Sequence, residues 1–196
     1  MGKRIIVLAS GAGSNLAALT AADLGGRIVA VVTDRADAGA LMRAEQAGIS
    51  GDTIPYPAFP DRAAWARALE GNVAEHEPDL VVLAGFMRIL PPEFVTRWPT
   101  LNVHPSLLPA FPGARAVEAA LAWGVKVTGS TVHLVDEEVD HGPIVLQEAV
   151  AVRPDDDARS LHERIKTVEH RLLPRAVSLF CADRLRVEGR YVRILQ

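Results

Sequence analysis

The chain has 196 residues, 49% of them hydrophobic and 23% charged, and a formal net charge of −3. That balance describes an ordinary globular protein with one sizeable core. It excludes a disordered chain and gives no electrostatic case for a nucleic-acid surface. The single cysteine, Cys181, excludes an internal disulfide framework and fits a reducing compartment.

Residues 1–4 lead straight into an apolar strand, without the apolar length or cleavage pattern of a signal peptide. No run reaches the roughly 18 apolar residues of a membrane span, so the expectation is a cytoplasmic protein without membrane contact. Residues 5–9, 28–33 and 80–84 are short runs of Val, Ile and Leu without polar alternation, the pattern of strands buried on both faces. Between them, residues 15–22, 38–47 and 61–75 read as helices. This βαβ rhythm predicts a mostly parallel sheet with helices on both sides. A further strand ends at Pro105. Residues 113–123 then predict a short helix, and 128–135 and 144–152 a hairpin joined by the acidic loop 136–143. A long helix starts near 155–157, with a capping box expected at Ser160 and Glu163 and a buried stripe of Leu161, Ile165, Val168 and Leu172. Pro174 is expected to kink or interrupt it, and Cys181 to pack within it. Residues 185–187 and 191–194 close the chain as a hairpin around Glu188-Gly189. No repeat, low-complexity tract or linker divides the sequence. The fold class is therefore α/β: one Rossmann-like open sheet over 1–196, mostly parallel, with antiparallel strands in the C-terminal part.

Three groups of residues can carry chemistry. In Ser10-Gly-Ala-Gly-Ser-Asn15, between a strand and a helix, glycines let the backbone approach an anion and the helix start supplies unpaired N–H groups, which suits a phosphate. As a dinucleotide fingerprint it is incomplete, because Leu16 stands where G-x-G-x-x-G has its third glycine, although Asp34 lies where a ribose-binding acid would sit. The second group is Asn102 and His104, which alternate to the same side of one strand and project from its carboxyl end, where open parallel sheets bind ligands. An amide and an imidazole there can polarise a carbonyl; equally, they can be a hydrogen-bonded pair finishing a strand. The third is Asp140, in a loop that also holds Asp136, Glu137 and Glu138, so a solvated acidic turn is the plain alternative. His133 reads as a structural or supporting residue, and His76, His162 and His170 as surface or helix-packing residues. No spacing resembles a metal site, so metal independence is expected.

Taken together, Ser10-Gly-Ala-Gly-Ser-Asn-Leu16, Leu83-Ala-Gly-Phe-Met-Arg-Ile-Leu90, Asn102-Val-His-Pro-Ser-Leu-Leu-Pro109, Gly129-Ser-Thr-Val-His133 and Asp140-His-Gly-Pro-Ile144 make the chain similar to the glycinamide ribonucleotide formyltransferase family. The resemblance covers nearly the whole chain. It implies transfer of a formyl group from 10-formyltetrahydrofolate, as co-substrate, to the amine of glycinamide ribonucleotide in purine synthesis. It implies an N-terminal half that binds the nucleotide phosphate, and a C-terminal half with the folate site and catalytic loop. Carried over by position, Gly13, Ser14 and Asn15 hold the phosphate, and Glu169 meets the glycinamide or ribose. Arg62 and Met87, Arg88, Ile89 and Leu90 line the folate, with the backbone of the last four facing the pterin edge. Asn102, His104 and Asp140 form the catalytic trio, Asn102 also touching folate.

For that reaction, Asn102 and a protonated His104 are expected to stabilise the developing oxyanion, while Asp140 raises the histidine's pKa and orders a proton-carrying water. Two positions depart from the family pattern: Ala114-Arg115-Ala-Val117, where members often present a histidine, and His141, where a small residue is common. A formyltetrahydrofolate deformylase-like hydrolase and a non-catalytic Rossmann nucleotide-binding module remain the alternatives. Partners are small molecules, with neither nucleic acid nor membrane, and both monomer and homodimer stay open.

Overall fold

β1 (Lys3–Ala9) is the strand around which the first part of the protein is built, and residues 5–9 are wholly excluded from solvent. In the computed structural model, which describes residues 2–196, the chain divides into two compact units, Met1–Leu101 and Asn102–Gln196, and Met1 of the expected start lies outside the described residues.

In the first unit β1 lies between two parallel neighbours, β2 (Gly26–Thr33) and β4 (Leu80–Leu83), and β3 (Ser50–Thr53) pairs in parallel with the outer side of β2. Burial on both faces explains why β1, the end of β2 and β4 carry aliphatic runs rather than alternation. α1 (Ser14–Thr20), α2 (Gly39–Gln46) and α3 (Arg62–Glu75) are the crossovers that parallel pairing requires. Asp61 caps α3 by accepting from the Ala64 amide at 2.7 Å. Trp65 on α3 is buried, stacks on Phe86 with centroids 6.2 Å apart, and donates from Nε1 to the Ile54 carbonyl. β3 and α4 (Pro92–Arg97) have no counterpart in the sequence reading. β3 is Ser-Gly-Asp-Thr, with no apolar run to announce it. α4 is a short helix opened by Pro91-Pro92 and anchored by buried Phe94 against Trp98.

The second unit takes over inside β5 (Thr100–His104), whose last residues are Asn102, Val103 and His104. Its strand order is β5-β6-β7-β9-β8. β6 (Val127–Leu134) and β7 (Ile144–Ala151) form the expected antiparallel hairpin, with a register shift at Val132/His133. β8 (Leu185–Glu188) and β9 (Tyr191–Ile194) form the terminal hairpin, and Tyr191 pairs in parallel with Ile144 on β7. α5 (Ala116–Ala122) starts later than the expected 113, because Gly113 is left-handed at φ 88° and Arg115 occupies the N-cap.

α6 (Ala158–Cys181) buries Leu161, Ile165, Val168 and Leu172 as the periodicity predicts. Its start differs. The capping box is formed by Asp157 and Ser160, the carboxylate accepting from the Ser160 amide at 2.7 Å and the hydroxyl from the Asp157 amide at 3.0 Å, so Ser160 is the third helical residue and not the cap. Pro174 does not interrupt the helix either: it is buried among Leu172, Leu173, Ala176 and Val177, and helix continues to Cys181. A missing N–H and a crowded turn normally end a helix, but here the apolar stripe runs through the proline and holds both sides against one core. Cys181 is the half-buried last residue of α6. No helix among the described residues is long and apolar enough to cross a membrane.

Candidate active site

On the first unit, the turn after β1 is held from three directions. The Ser10 amide donates to the Gly85 carbonyl at 3.1 Å, the Ala40 amide to the Gly11 carbonyl at 3.1 Å, and Arg43 Nε to the Ala12 carbonyl at 2.8 Å. Gly13 is buried and left-handed at φ 74°, and a Cβ there would stand 2.8 Å from the Ala40 Cα. Only glycine satisfies both the backbone and the close approach of α2. Its carbonyl opens α1 by accepting from the Ala17 amide. Ser14 is half-buried, while Asn15 and Leu16 are buried. Leu16 thus fills core where a dinucleotide turn has a glycine.

The same turn is tied to residues 87–90. Ser10 Oγ accepts from the Met87 amide at 2.9 Å, and Arg62 donates to the Ile89 carbonyl at 3.1 Å. Arg62 therefore lies beside this segment, as its shared folate assignment implies. Two of the backbone groups expected to face the pterin edge, Met87 N–H and Ile89 C=O, are instead engaged within the protein, because a short apolar segment leaving a sheet must satisfy its own amides and carbonyls. Met87 and Ile89 are nevertheless exposed, at 67% and 57%, while Leu90 is buried, so two large apolar side chains form an open wall. Arg88 donates from Nε to Asp34 at 2.6 Å and lies over the Tyr56 ring at 4.4 Å. Asp34 is 2% exposed and spends one oxygen on this ion pair. The acid that could have marked a ribose-binding dinucleotide site is thus a partner of Arg88.

On the second unit, β5 delivers Asn102 and His104 to one carboxylate. Asn102 Nδ2 lies 3.4 Å from Asp140 Oδ1, and His104 Nδ1 lies 3.3 Å from Asp140 Oδ2. Asp140 also accepts from the Gly113 amide at 2.7 Å, which ties the 136–143 loop to the segment after β5. The second ring nitrogen of His104 meets the Phe111 carbonyl at 2.8 Å. That carbonyl only accepts, so Nε2 carries a hydrogen. His133 completes the group: Nδ1 donates to the Leu134 carbonyl at 2.9 Å, leaving Nε2 to accept the second Asn102 amide hydrogen at 3.1 Å. His133, which the sequence marked as structural or supporting, is buried at 1% exposure and lies 3.7 Å from Asp140.

Two non-glycine residues here are left-handed, Phe111 at φ 54° and Asp140 at φ 53°. Such a backbone costs about 1–3 kcal/mol per residue and persists only where its surroundings hold it. In this case it turns the Phe111 carbonyl onto His104 and the Asp140 carboxylate onto β5. Supporting contacts surround the group. Thr131 donates to the Ser106 carbonyl at 2.7 Å and accepts from the Leu108 amide, and Gln147 donates to the Leu108 carbonyl at 2.8 Å. Leu108-Pro109 is a cis peptide.

Burial sets the protonation of the trio against its own contacts. Desolvation is the largest influence on His104 and lowers its pKa below the usual imidazole value, although the Asp140 carboxylate and the Phe111 carbonyl act to raise it. The expectation that Asp140 lifts His104 towards working pH is corrected accordingly: the carboxylate pulls in that direction, and burial outweighs it. Desolvation is also the largest influence on Asp140, acting to raise its pKa. The His133 contact, the Gly113 amide and the facing imidazoles outweigh it and hold the carboxyl below its usual range. Asp140 is therefore an anion at neutral pH.

The remaining predicted positions lie on other elements. Glu169 is buried on α6, and His162 and His170 are half-buried on the same helix. His76 follows α3 and pairs with Asp52 at 2.9 Å. Arg115 is exposed at the start of α5. Among the described residues no group of three or more His, Cys, Asp or Glu side chains is arranged to hold a metal ion. The sequence reading missed the Phe111 carbonyl and the Gly113 amide, backbone groups that no residue type announces. His133 was detectable, since it alternates with Thr131 and Gly129 on one side of β6, the strand beside β5.

A parallel α/β core, a glycine turn held by its neighbours and an Asn-His-Asp group at a strand's carboxyl end suit an enzyme that polarises a carbonyl. Residues 3–177 match the formyl transferase family, and the chain belongs to that family. It is 51% identical over 192 residues to phosphoribosylglycinamide formyltransferase from Mycobacterium tuberculosis, covering 95% of this chain and 89% of that protein. It is 43% identical over 189 residues to phosphoribosylglycinamide formyltransferase from Escherichia coli K12, covering 93% of this chain and 89% of that protein. Among solved structures it matches glycinamide ribonucleotide transformylase 1 from Symbiobacterium toebii with a TM-score of 0.97 and 46% identity, over 100% of this chain and 95% of that one. The fold is accordingly the α/β formyltransferase fold, a mostly parallel open sheet with antiparallel strands in its C-terminal part.

Proposed function

We propose that this protein is a formyltransferase that moves the formyl group of 10-formyltetrahydrofolate to the amine of glycinamide ribonucleotide, giving formylglycinamide ribonucleotide and tetrahydrofolate in purine biosynthesis. The observation that carries the reading is the convergence of Asn102 and His104 on the half-buried Asp140 carboxylate. Family membership supplies the reaction class.

The chemistry follows from the geometry. The substrate amine is itself the nucleophile: its lone pair forms the new C–N bond as the formyl C=O electrons move onto oxygen. That oxygen needs donors already in place. His104 Nε2–H, which rests on the Phe111 carbonyl, turns to it, and an Asn102 amide hydrogen leaves its His133 or Asp140 acceptor to do the same. As the amine nitrogen sheds its proton through a water beside Asp140, the oxyanion collapses. The bond to the folate nitrogen breaks, and that nitrogen takes the proton. The Asp140 anion, facing Nδ1, favours the imidazolium at the moment negative charge develops opposite it.

Binding is assigned by the same reading. Gly13, Ser14 and Asn15 hold the phosphate, and Glu169 meets the glycinamide or ribose. Arg62, Met87, Arg88, Ile89, Leu90 and Asn102 contact the folate, the Met87 and Ile89 side chains offering the apolar wall. The chain acts as a single domain, takes small-molecule substrates, needs no metal and works in the cytoplasm.

The deciding experiment measures formyl folate consumption with and without glycinamide ribonucleotide. Transfer predicts that turnover requires the ribonucleotide and yields its formylated product. Equal consumption without it, with formate released, would replace transfer by hydrolysis on the same trio.

A further inference from the structure

His141 ties the 136–143 loop both to itself and to a neighbouring turn. Its Nδ1 lies 2.8 Å from Asp136 Oδ2, an acceptor, and so donates. Its Nε2 is left with a lone pair, which accepts from Arg190 Nη1 at 3.0 Å. Arg190 Nη2 donates to the His141 carbonyl at 2.6 Å. One guanidinium thus grips both the backbone and the ring of His141, and the ring passes the connection to Asp136 at the other end of the turn. Asp136 in turn accepts from the Glu138 amide at 3.1 Å.

The residue gripped in this way directly follows Asp140, whose left-handed backbone must be held by its neighbours. On the far side Gly142 packs against the Leu134 carbonyl so closely that no Cβ fits. Arg190 itself is presented by the turn between β8 and β9, where Gly189 is left-handed at φ 61°, and Tyr191 pairs with Ile144 just beyond the loop. The grip therefore comes from a hairpin fastened to the strand that the loop feeds. A guanidinium also suits the location by charge, since the loop carries Asp136, Glu137, Glu138 and Asp140.

We propose that Arg190 is a positioning residue for formyl transfer: through His141 it fixes the backbone that aims Asp140 at Asn102 and His104. The inference rests on the role assigned to Asp140 in the proposed reaction, and the test separates the two. Steady-state transfer is measured on the full chain for wild type, R190A, R190K, D140N and the double variant R190A/D140N, with thermal unfolding as a check on folding. R190A is expected to lower kcat about 3- to 30-fold with little change in KM for either substrate. R190K should recover part of the loss, because an ammonium still reaches the His141 carbonyl. In the D140N background R190A should cost nothing more, since the group it aims is gone.

Wild-type turnover in R190A beside a crippled D140N overturns the positioning role and leaves the reading of the site standing. An equal R190A loss in both backgrounds overturns it too, because Arg190 then acts on something other than Asp140. Normal turnover in D140N removes the role of Asp140 itself, and the positioning role with it.

Discussion

His104 has an acceptor at each ring nitrogen, the Phe111 carbonyl at one and the Asp140 carboxylate at the other, so the neutral ring satisfies only one of them. The imidazolium satisfies both, at the cost of a buried charge. This opposition makes His104 responsive to charge appearing beside it, and turnover should depend on it. His104→Ala and Asp140→Asn are each expected to lower kcat by about 10²- to 10³-fold, the loss usual for a positioned donor, while circular dichroism stays native. Near-normal kcat in either purified variant contradicts the assignment. A second expectation concerns stability. Because burial depresses the His104 pKa in the folded state, the unfolded chain binds a proton that the folded chain refuses once the pH falls below the ordinary imidazole value of about 6.5. Stability tied to this residue is therefore complete above that pH and declines below it. Asp140 is also depressed, but from the carboxylate range, so its contribution is lost only at lower pH, as the folded form titrates. Urea unfolding of His104→Asn between pH 8 and 5 should show a shallower acid-side decline than wild type. Parallel declines would mean that burial of His104 carries no such penalty.

At the scale of elements, the sheet was largely legible because aliphatic runs report burial on both faces, as at residues 5–9 and 80–83. β3 was not, since Ser50-Gly-Asp-Thr53 has no apolar run and pairs at the outer side of β2. The start of α6 near 155–157 was legible, but its capping box was misplaced because Ser160-x-x-Glu163 and Asp157-x-x-Ser160 both fit a cap pattern, and only the dihedrals choose between them: Asp157 is extended at φ −101°, ψ 176°. The site was legible in its side chains and hidden in its backbone. Asn102 and His104 follow from alternation on β5, whereas the left-handed Phe111 that serves His104 follows from no residue preference. The 136–143 loop illustrates what such backbone contributes. At Gly142 an added Cβ would collide with the Leu134 carbonyl, a backbone atom that cannot swing aside. Gly142→Ala is thus expected to displace the loop and lower kcat more than tenfold, with the β6–β7 hairpin still formed. Asp157→Ala provides the contrast. It removes the α6 capping box far from the trio in sequence, so the melting temperature should fall while kcat is kept. If Gly142→Ala kept full turnover, the loop geometry would have no bearing on catalysis.

At the scale of the whole molecule, the boundary between the two compact units falls within a strand. Thr100 and Leu101 belong to one unit, and Asn102, Val103 and His104 of the same β5 to the other. Independent domains are separated by exposed, flexible, polar or Pro/Gly-rich linkers. Here the boundary residues are mostly buried, with Leu101 at 0% and Val103 at 7% exposure. The single domain expected from the absence of a linker predicts one cooperative unfolding transition for the full chain. Fluorescence reports on the first unit through buried Trp65 and Trp98, whereas Trp123 in the second is 79% exposed and should change little. Loss of transfer activity reports on the Asn102–His104–Asp140 group. If the chain is one domain, the fluorescence, activity and far-ultraviolet dichroism curves coincide in urea, and the separate fragments 1–101 and 102–196 do not fold. Activity lost at a lower urea concentration than Trp65 and Trp98 fluorescence would instead make the second unit a domain that opens by itself.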